Sequence, residues 1–277
     1  MADEYSFTIY GTRGTHPVCG AKFRRYGGHT TCFTMRAPGG LLMFDAGTGA
    51  IQAGRDTPAN LPIAVFFTHL HLDHIVGLPT FAPLYQPQAR VTFLVDGPQR
   101  AALRRLTAPP YWPLQLDRLG ARISWRELPT SGRLTLFGIR VTWMPVPHPQ
   151  PCLAYRLDTP SHTIVIATDY EPDAGPIDAQ FIQFCRNADC LIFDAQFTPR
   201  EYPHRRGWGH GTWKHGVHLA RAAGVRKLIL THHDPTRSDR QIDAIARAVR
   251  KAFPGACAAR DGLTLRLKTA FEIQETR

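Results

Sequence analysis

Cysteine is scarce in this sequence and is not arranged for bonding. The 277 residues include six cysteines, and none of them stands in a C-x-x-C pair. This scatter argues against a disulfide framework and against a structural zinc knuckle, and it is typical of a protein from a reducing compartment. We therefore expect a cytoplasmic protein.

Long apolar runs and a secretory leader are also lacking. No stretch of the sequence approaches the roughly 18 consecutive apolar residues that a membrane span requires. The opening MADEYSF is acidic, whereas a signal peptide begins with positive charge. Internal repeats and low-complexity segments are likewise missing from the sequence. These features predict a protein that does not interact with a membrane.

Acidic residues are in deficit. The 22 Asp and Glu are outnumbered by 33 Lys and Arg, which gives a formal net charge of +11. Such a balance favours anionic partners, phosphate esters and nucleic acid among them. The basic residues are spread over the chain, however, in pairs such as Arg24–Arg25, Arg104–Arg105 and Arg205–Arg206. An arginine-rich background composition explains this spread equally well, and charge alone assigns no function.

Apolar residues, by contrast, are plentiful and periodic. They make up 43% of the sequence, which is enough to build a full hydrophobic core. Apolar runs of strand length alternate with segments of helical periodicity. The predicted strands are 5–14, 40–49, 61–69, 91–96, 138–146, 153–158, 163–169, 190–195, 227–232 and 263–268, and the predicted helices are 101–107, 211–224 and 238–253.

This alternation predicts an α/β layered fold with mixed sheets and outer helices, in a single domain of residues 1–277. In the last predicted helix, Ser238 and Gln241 have the spacing of a capping box. Segment 97–130 contains five prolines and is predicted to run over the surface of the domain.

Strong metal-binding side chains crowd into THLHLDH, residues 68–74. Further histidines and aspartates follow apolar strands elsewhere, and they are Asp45, His148, Asp169, Asp194 and His232. Since ligands bind at the carboxyl ends of strands in α/β sheets, these side chains are expected to converge on one cleft. Imidazole and carboxylate without thiolate favour zinc, with manganese, iron or cobalt as substitutes.

The number of candidate ligands indicates two metal ions. Seven donors are too many for one tetrahedral ion and are about right for two ions that share a bridging carboxylate. These donors are His69, His71, Asp73, His74, His148, Asp169 and His232. The expected cofactor is therefore a pair of divalent ions.

The HxHxDH motif, followed by His, Asp and His at strand ends, resembles the metallo-β-lactamase superfamily over nearly the whole chain. The resemblance implies a four-layer αβ/βα sandwich of two mixed β-sheets with the metals at one edge. It implies that His69, His71 and His148 hold the first ion, that Asp73, His74 and His232 hold the second, and that Asp169 bridges them. Asp45 would orient the HxHxDH loop. In THHDP, the pattern selects His232 over His233.

Finer motifs resemble the phosphodiesterase branch of the superfamily, which includes tRNase Z and cyclic-phosphate phosphodiesterases. These motifs are YGTRGTHP, YGGHTTC, DAGTG and GHGTW…AGVRKLILTH. The branch pairs a catalytic histidine with a carboxylate, and the matching residues are His210 and Asp194. This chain departs from the branch pattern at Gly211, at Asp194 itself, where Glu is usual, and at His29, where Asn is common. His210 is otherwise interpreted as an ordinary loop histidine, and His215 and His218 as surface or packing residues.

The resemblance implies hydrolysis of a small or cyclic phosphodiester. Asp73 would orient the nucleophile, and His210, held by Asp194, would stabilise the transition state or protonate the leaving group. The short connection between His148 and Asp169 leaves no room for the tRNA-binding arm of tRNase Z.

Other functions and partners stay open at this point. A hydrolase of thioesters, lactones or β-lactams is one alternative, and a non-catalytic metal sensor or nucleic-acid-binding module is another. The predicted partner is a small phosphodiester, nucleic acid is not favoured, and a homodimer is expected. The positions of His29 and His233 relative to the cleft are left undecided.

Overall fold

Strands and helices alternate along the part of the chain that the structure, a computed structural model, describes: residues 5–58, 60–173 and 175–267, with the backbone of 271–275. The strands are β1 (Tyr5–Gly11), β2 (Cys32–Ala37), β3 (Gly40–Phe44), β4 (Ile63–Phe66), β5 (Arg90–Val95), β6 (Arg122–Glu127), β7 (Gly132–Leu136), β8 (Ile139–Val146), β9 (Cys152–Asp158), β10 (Thr163–Ala167), β11 (Cys190–Asp194), β12 (Lys227–Thr231), β13 (Ala256–Ala258), β14 (Leu263–Leu267) and β15 (Phe271–Glu275). The α-helices are α1 (Ala50–Asp56), α2 (Leu72–Ile75), α3 (Gly97–Leu106), α4 (Pro176–Phe184), α5 (Trp213–Ala223) and α6 (Asp239–Ala252).

The strands form two mixed sheets. The first has eight strands in the order β15-β14-β1-β2-β3-β4-β5-β6, and the second has seven in the order β13-β12-β11-β10-β9-β8-β7. The predicted sandwich of two mixed sheets is confirmed. Within the described residues, no helix is long and apolar enough to cross a bilayer.

Three apolar clusters hold the layers together. The central cluster lies between the sheets, and Phe44, Phe66 and Tyr155 pack there with ring centroids 5.0 to 5.6 Å apart. The other two clusters pack α4, α5 and α6 against the second sheet and α1 and α3 against the first. Since burial of one large apolar side chain contributes roughly 1.5–3 kcal/mol, this packing fixes the relative position of the sheets.

The strands that lead to the predicted ligands run parallel within each sheet. In the first sheet β3 pairs with β4, and in the second β10, β11 and β12 are parallel neighbours. Their carboxyl ends therefore lie at the same edge. Asp45, Asp169 and His232 follow three of these strands with φ of 61°, 56° and 58°. A left-handed backbone at non-glycine residues is strained, and such strain concentrates at functional sites.

Segment 97–130 lies mostly at the surface, as its prolines suggested, but it contains regular structure. It supplies α3, which begins at Gly97 because Asp96 caps it, and the edge strand β6, which pairs with β5. Leu103 and Leu116 are fully buried in the core. A few apolar side chains spaced between the prolines therefore anchor a segment whose other residues are mostly exposed or half-buried, as the surface prediction expected.

The three predicted helices all form, and the capping box of Ser238 and Gln241 is confirmed. The predictions missed β2, β6, β7, β13 and β15 together with α1, α2 and α4. The last predicted strand ends at Lys268, which lies outside the described residues.

Candidate metal centre

The HxHxDH motif leaves β4 as a short loop that leads into α2. His69 and His71 precede the helix, and Asp73 and His74 lie inside it. The turn from extended strand to helix at His71 sends the two pairs of side chains in different directions. The motif thus divides between two clusters of donor atoms.

The first cluster contains His69, His71, His148 and Asp169. One donor atom from each lies within 4.8 Å of the others. His69 and Asp169 are almost fully buried. Burial lowers the pKa of His69, His71 and His148 and keeps these imidazoles neutral. Neutral imidazole is the form that binds a metal ion.

The second cluster contains Asp73, His74 and His232. Asp73 Oδ2 lies 3.2 Å from His232 Nε2 and 3.5 Å from His74 Nε2. The backbone N–H of Thr15, in the turn after β1, donates to the same Asp73 oxygen at 2.7 Å. Thr15 directly follows the GTRG segment, residues 11–14, and this turn closes the cluster from the side of the first sheet.

Asp169 lies between the two clusters. Its Oδ1 is 3.9 Å from His69 Nε2, and its Oδ2 is 3.1 Å from His74 Nε2 and 3.4 Å from His232 Nε2. Although burial opposes ionisation, His232 and His74 hold the pKa of Asp169 well below its usual range. Asp169 is therefore ionised, with one oxygen directed to each cluster, as a bridging carboxylate must be.

Four side-chain atoms of the cluster residues are buried without a well-aligned hydrogen bond, although Asp169 Oδ2 and His74 Nε2 lie only 3.1 Å apart: His69 Nε2, His74 Nε2, Asp169 Oδ2 and His232 Nδ1. Leaving such atoms unsatisfied costs roughly 1–3 kcal/mol each. His74 is also surrounded by Asp169, Asp73 and Asp45, which raise its pKa against the opposing effect of burial. Orphaned donors within an excess of negative charge fit divalent cations.

Asp45 lies behind His74 and is fully buried. Its Oδ2 is 2.9 Å from His74 Nδ1, and it accepts hydrogen bonds from Thr68 N at 2.7 Å and Thr68 Oγ1 at 2.9 Å. Because Asp45 engages Nδ1, the His74 ring is oriented with Nε2 toward the cluster. Carboxylates commonly orient metal-binding histidines in this way.

His210 and Asp194 form a pair beside the second cluster. His210 Nδ1 lies 2.8 Å from Asp194 Oδ2 and 3.6 Å from Asp169 Oδ1. Asp194 is itself fixed because it accepts hydrogen bonds from the backbone N–H of Asp169 and of Gln196. Burial lowers the pKa of His210, but Asp194 and Asp169 raise it to about 9. The two carboxylates thus favour the protonated imidazole, and because Nδ1 faces Asp194 only Nε2 stays available to a substrate.

Glu171 is a residue that the sequence reasoning missed. Its carboxylate accepts hydrogen bonds from Gly207 N at 2.8 Å, Gly209 N at 2.7 Å and Tyr202 Oη at 3.0 Å. Gly209 O in turn lies 3.0 Å from His148 Nδ1. Glu171 therefore fixes the segment that orients His148 and carries His210. Its position two residues after Asp169 was the only signal in the sequence.

The remaining histidines lie elsewhere. His233 is buried 3.0 Å from Ala259 O, and burial lowers its pKa to about 3. His29 lies 3.3 Å from Thr48 Oγ1 and lines a separate cavity with Tyr10. His215 caps its own helix, and His218 is exposed. Among the described residues, neither His29 nor His233 belongs to a cluster that could hold a metal ion.

The fold and the two His/Asp clusters define a metal-dependent hydrolase of the metallo-β-lactamase class. The model of the Beta-lactamase superfamily domain matches residues 41–233, and the chain belongs to this family. The superfamily resemblance read from the motifs is confirmed.

Known proteins resemble the chain over most of its length. It is 26% identical over 284 residues to Ribonuclease BN of Escherichia coli O6:K15:H31 (strain 536 / UPEC), covering 80% of this chain and 88% of that protein. The metallo-β-lactamase fold protein YhfI of Bacillus subtilis superposes with a TM-score of 0.74 at 20% identity, over 96% of this chain and 100% of that one. A diphosphatase of the PhnP family superposes with a TM-score of 0.70 at 21% identity, over 95% of this chain and 97% of that one.

Proposed function

We propose that the protein is a dinuclear-metal phosphodiesterase that hydrolyses a small or cyclic phosphodiester. The observation that carries this proposal is the 2.8 Å pair of His210 Nδ1 and Asp194 Oδ2 beside the bridging Asp169. Hydrolysis of a diester expels an alkoxide, which needs a proton donor next to the metal centre. A His–Asp pair at this position supplies one.

The clusters indicate which residues would hold the metal. His69, His71 and His148 would hold one ion, Asp73, His74 and His232 the other, and Asp169 would bridge them. Zinc suits this set of imidazoles and carboxylates, with manganese or iron as substitutes. When bound, the ions supply a lower pKa for water and charge neutralisation at a phosphate oxygen.

The protein's own groups would perform the remaining steps. Asp73, fixed by Thr15 N–H at 2.7 Å, would orient the attacking water. Asp194 would hold the His210 ring so that Nε2 protonates the leaving oxygen or stabilises its charge. The Gly207–Gly209 segment, held by Glu171, keeps His148 and His210 in fixed relative positions. A general acid that is held in position in this way typically accelerates the reaction ~10²–10⁴-fold.

The short connection between His148 and Asp169 supports a small substrate. After His148, β9 and β10 are joined by a turn of four residues, 159–162, and the chain then reaches Asp169. No arm for a folded RNA protrudes there. By its name Ribonuclease BN acts on RNA and the PhnP-family protein on a diphosphate, so both relatives act at phosphorus. The net charge of +11 also supports an anionic substrate.

A turnover screen tests the proposal. The metal-reconstituted protein is assayed on bis-p-nitrophenyl phosphate, a nucleoside 2′,3′-cyclic phosphate, a single-stranded RNA, a thioester and nitrocefin, with metal content measured by elemental analysis. The phosphodiesters should be turned over, and His210→Ala should abolish most of that turnover. The exposed His218→Ala serves as the matched control.

Other outcomes of the screen select the other functions. Cleavage of the thioester or nitrocefin alone would show that the substrate class is wrong. Salt-dependent RNA binding without any cleavage would indicate a non-catalytic nucleic-acid-binding module instead. Sedimentation velocity on the same sample tests the predicted homodimer, and fractionation of the source cells tests the predicted cytoplasmic location.

A further inference from the structure

Trp208 is an exposed aromatic side chain two residues before His210. It is 55% exposed, whereas most large aromatic side chains of the described residues are buried in the core. Exposed tryptophan is costly in water and is enriched where proteins bind other molecules. The residue lies in the segment from Tyr202 to His210, which we call the 202–210 loop.

Ring contacts connect Trp208 to His210, the histidine of the His210–Asp194 pair. The Trp208 ring packs at an angle of 77° against Phe197, with centroids 6.5 Å apart, and Phe197 packs against His210 at 5.5 Å. Phe197 is buried, so it acts as a fixed support beneath both rings. Trp208 therefore lies one buried ring away from His210.

The 202–210 loop is held at both sides of Trp208. Gly207 and Gly209 have φ of 85° and 88°, and their backbone N–H groups both donate to Glu171. A Cβ on Gly209 would come within 2.1 Å of His148 Nδ1, so the loop has no room to shift toward the cluster. The loop thus presents Trp208 in one place, and a ligand that stacks on it incurs little entropic cost of ordering.

Positive charge accompanies the exposed ring. The Arg205 guanidinium lies over the indole, 4.4 Å from its centroid. Arg206 lines a cavity of about 380 Å³ together with His148, Pro149 and Tyr202. A flat aromatic surface flanked by arginine, next to a metal centre, suits a planar aromatic group attached to phosphate.

We infer that Trp208 is the stacking surface for a nucleobase or other aryl group of the phosphodiester, with Arg205 and Arg206 attracting its negative charge. This inference rests on the proposed phosphodiesterase activity and narrows it to diesters that carry an aromatic group. Trp208 determines specificity, and the chemistry stays with the metal-binding residues, Asp194 and His210.

The test compares two substrates that differ only in the aromatic group. These are a nucleoside 2′,3′-cyclic phosphate and the cyclic phosphate of the corresponding base-free sugar. The values of kcat/KM are measured with the metal-loaded protein and with Trp208→Ala, Trp208→Phe and Tyr111→Ala. Tyr111 is 74% exposed and lies in the 97–130 segment, so it is a control for loss of an exposed ring.

We expect the wild type to prefer the nucleoside substrate. Trp208→Ala should lower the ratio of the two kcat/KM values about tenfold, which is the typical effect of removing one base-stacking ring. The loss should fall mainly on KM, Trp208→Phe should recover part of the ratio, and Tyr111→Ala should leave it unchanged.

The two proposals fail in different ways. If the wild type cleaves both cyclic phosphates and Trp208→Ala leaves their ratio unchanged, the stacking role is wrong and the phosphodiesterase proposal stands. If the wild type cleaves neither these substrates nor other diesters, both proposals fail. An equal loss on both substrates with reduced metal content would show that Trp208 only supports the structure.

Discussion

Asp194 Oδ2 lies 2.8 Å from His210 Nδ1, and the same oxygen accepts a hydrogen bond from the backbone N–H of Asp169 at 3.0 Å. One carboxylate oxygen therefore fixes both the His210 ring and the residue between the two donor clusters. Asp194, which orients the candidate acid, thus also holds the backbone of Asp169, the candidate bridging residue. Because Asp194 holds Asp169 independently of His210, replacing His210 should lower turnover and leave the metal content unchanged, whereas replacing Asp169 should lower the metal content.

His210→Ala removes the candidate acid without removing a predicted metal ligand. We expect kcat for a phosphodiester to fall ~10²–10⁴-fold, which is the range for loss of a positioned acid. Metal content, measured by elemental analysis, should stay at the wild-type value. Full turnover in this variant, with normal metal content, would show that His210 has no catalytic role.

Asp169→Ala removes a carboxylate that faces both clusters, and His74→Ala removes a donor of the second cluster. We expect each variant to retain at most about half of the wild-type metal after gel filtration, because the remaining side chains cannot complete two sites. Removal of metal from the wild type by a chelator should abolish turnover, and added zinc should restore it. His204→Ala, which changes an exposed histidine, is the control for metal lost through handling. Wild-type metal content in Asp169→Ala would contradict the bridging assignment.

Glu171→Ala removes the acceptor that holds the 202–210 loop. Because this loop orients His148 and carries His210, kcat should fall about 10–100-fold, as for other partners of metal-binding residues. Glu171→Gln keeps one acceptor oxygen and should lose less activity. Hydrogen exchange of the Gly207 and Gly209 amides should accelerate in Glu171→Ala. It should stay slow in the control variant Asp173→Asn, which changes an exposed carboxylate two residues after Glu171. Unchanged exchange in Glu171→Ala would show that the loop is held by other contacts.

Asp261 gives the protein a pH-dependent stability. Burial raises the pKa of Asp261 to about 6 although Gly28 N and His29 N donate to its carboxylate. The folded state thus binds this proton more tightly than the unfolded state, whose value is near 3.9. The stabilising contribution is complete below about pH 4 and is lost as the pH rises through about 6.

Urea denaturation of the wild type and of Asp261→Asn, measured from pH 4.5 to 7.5, tests this expectation. The free energy of unfolding of the wild type, relative to the variant, should decrease toward pH 7 by at most about 1.4 kcal/mol per pH unit. Parallel pH profiles of the two proteins would show that Asp261 has an ordinary pKa.

The sequence alone was enough to predict which residues stand at the ends of the buried strands. Parallel strands buried on both faces give continuous apolar runs, and His69, Asp169, Asp194 and His232 follow such runs at or near their ends. The layered fold with mixed sheets was predicted from these same runs, and the sandwich of two sheets was implied by the superfamily resemblance. Among the missed strands, β13 has only three residues, and β6 and β7 alternate between partly buried and exposed residues and have few strong apolar positions. The missed β2, by contrast, is buried at five of its six positions.

The sequence by itself determined the fold class, the superfamily and the set of candidate donors, because these depend on local periodicity and on motif spacing. The superfamily resemblance implied how the donors are grouped, and the tertiary structure brings the members of each group together, since Asp73 and His232 are 159 positions apart and meet only when the two sheets pack. It also showed that His233 faces Ala259 and that Glu171 holds Gly207 and Gly209. Such long-range hydrogen bonds depend on the packing of distant segments, and no local pattern in the chain encodes them.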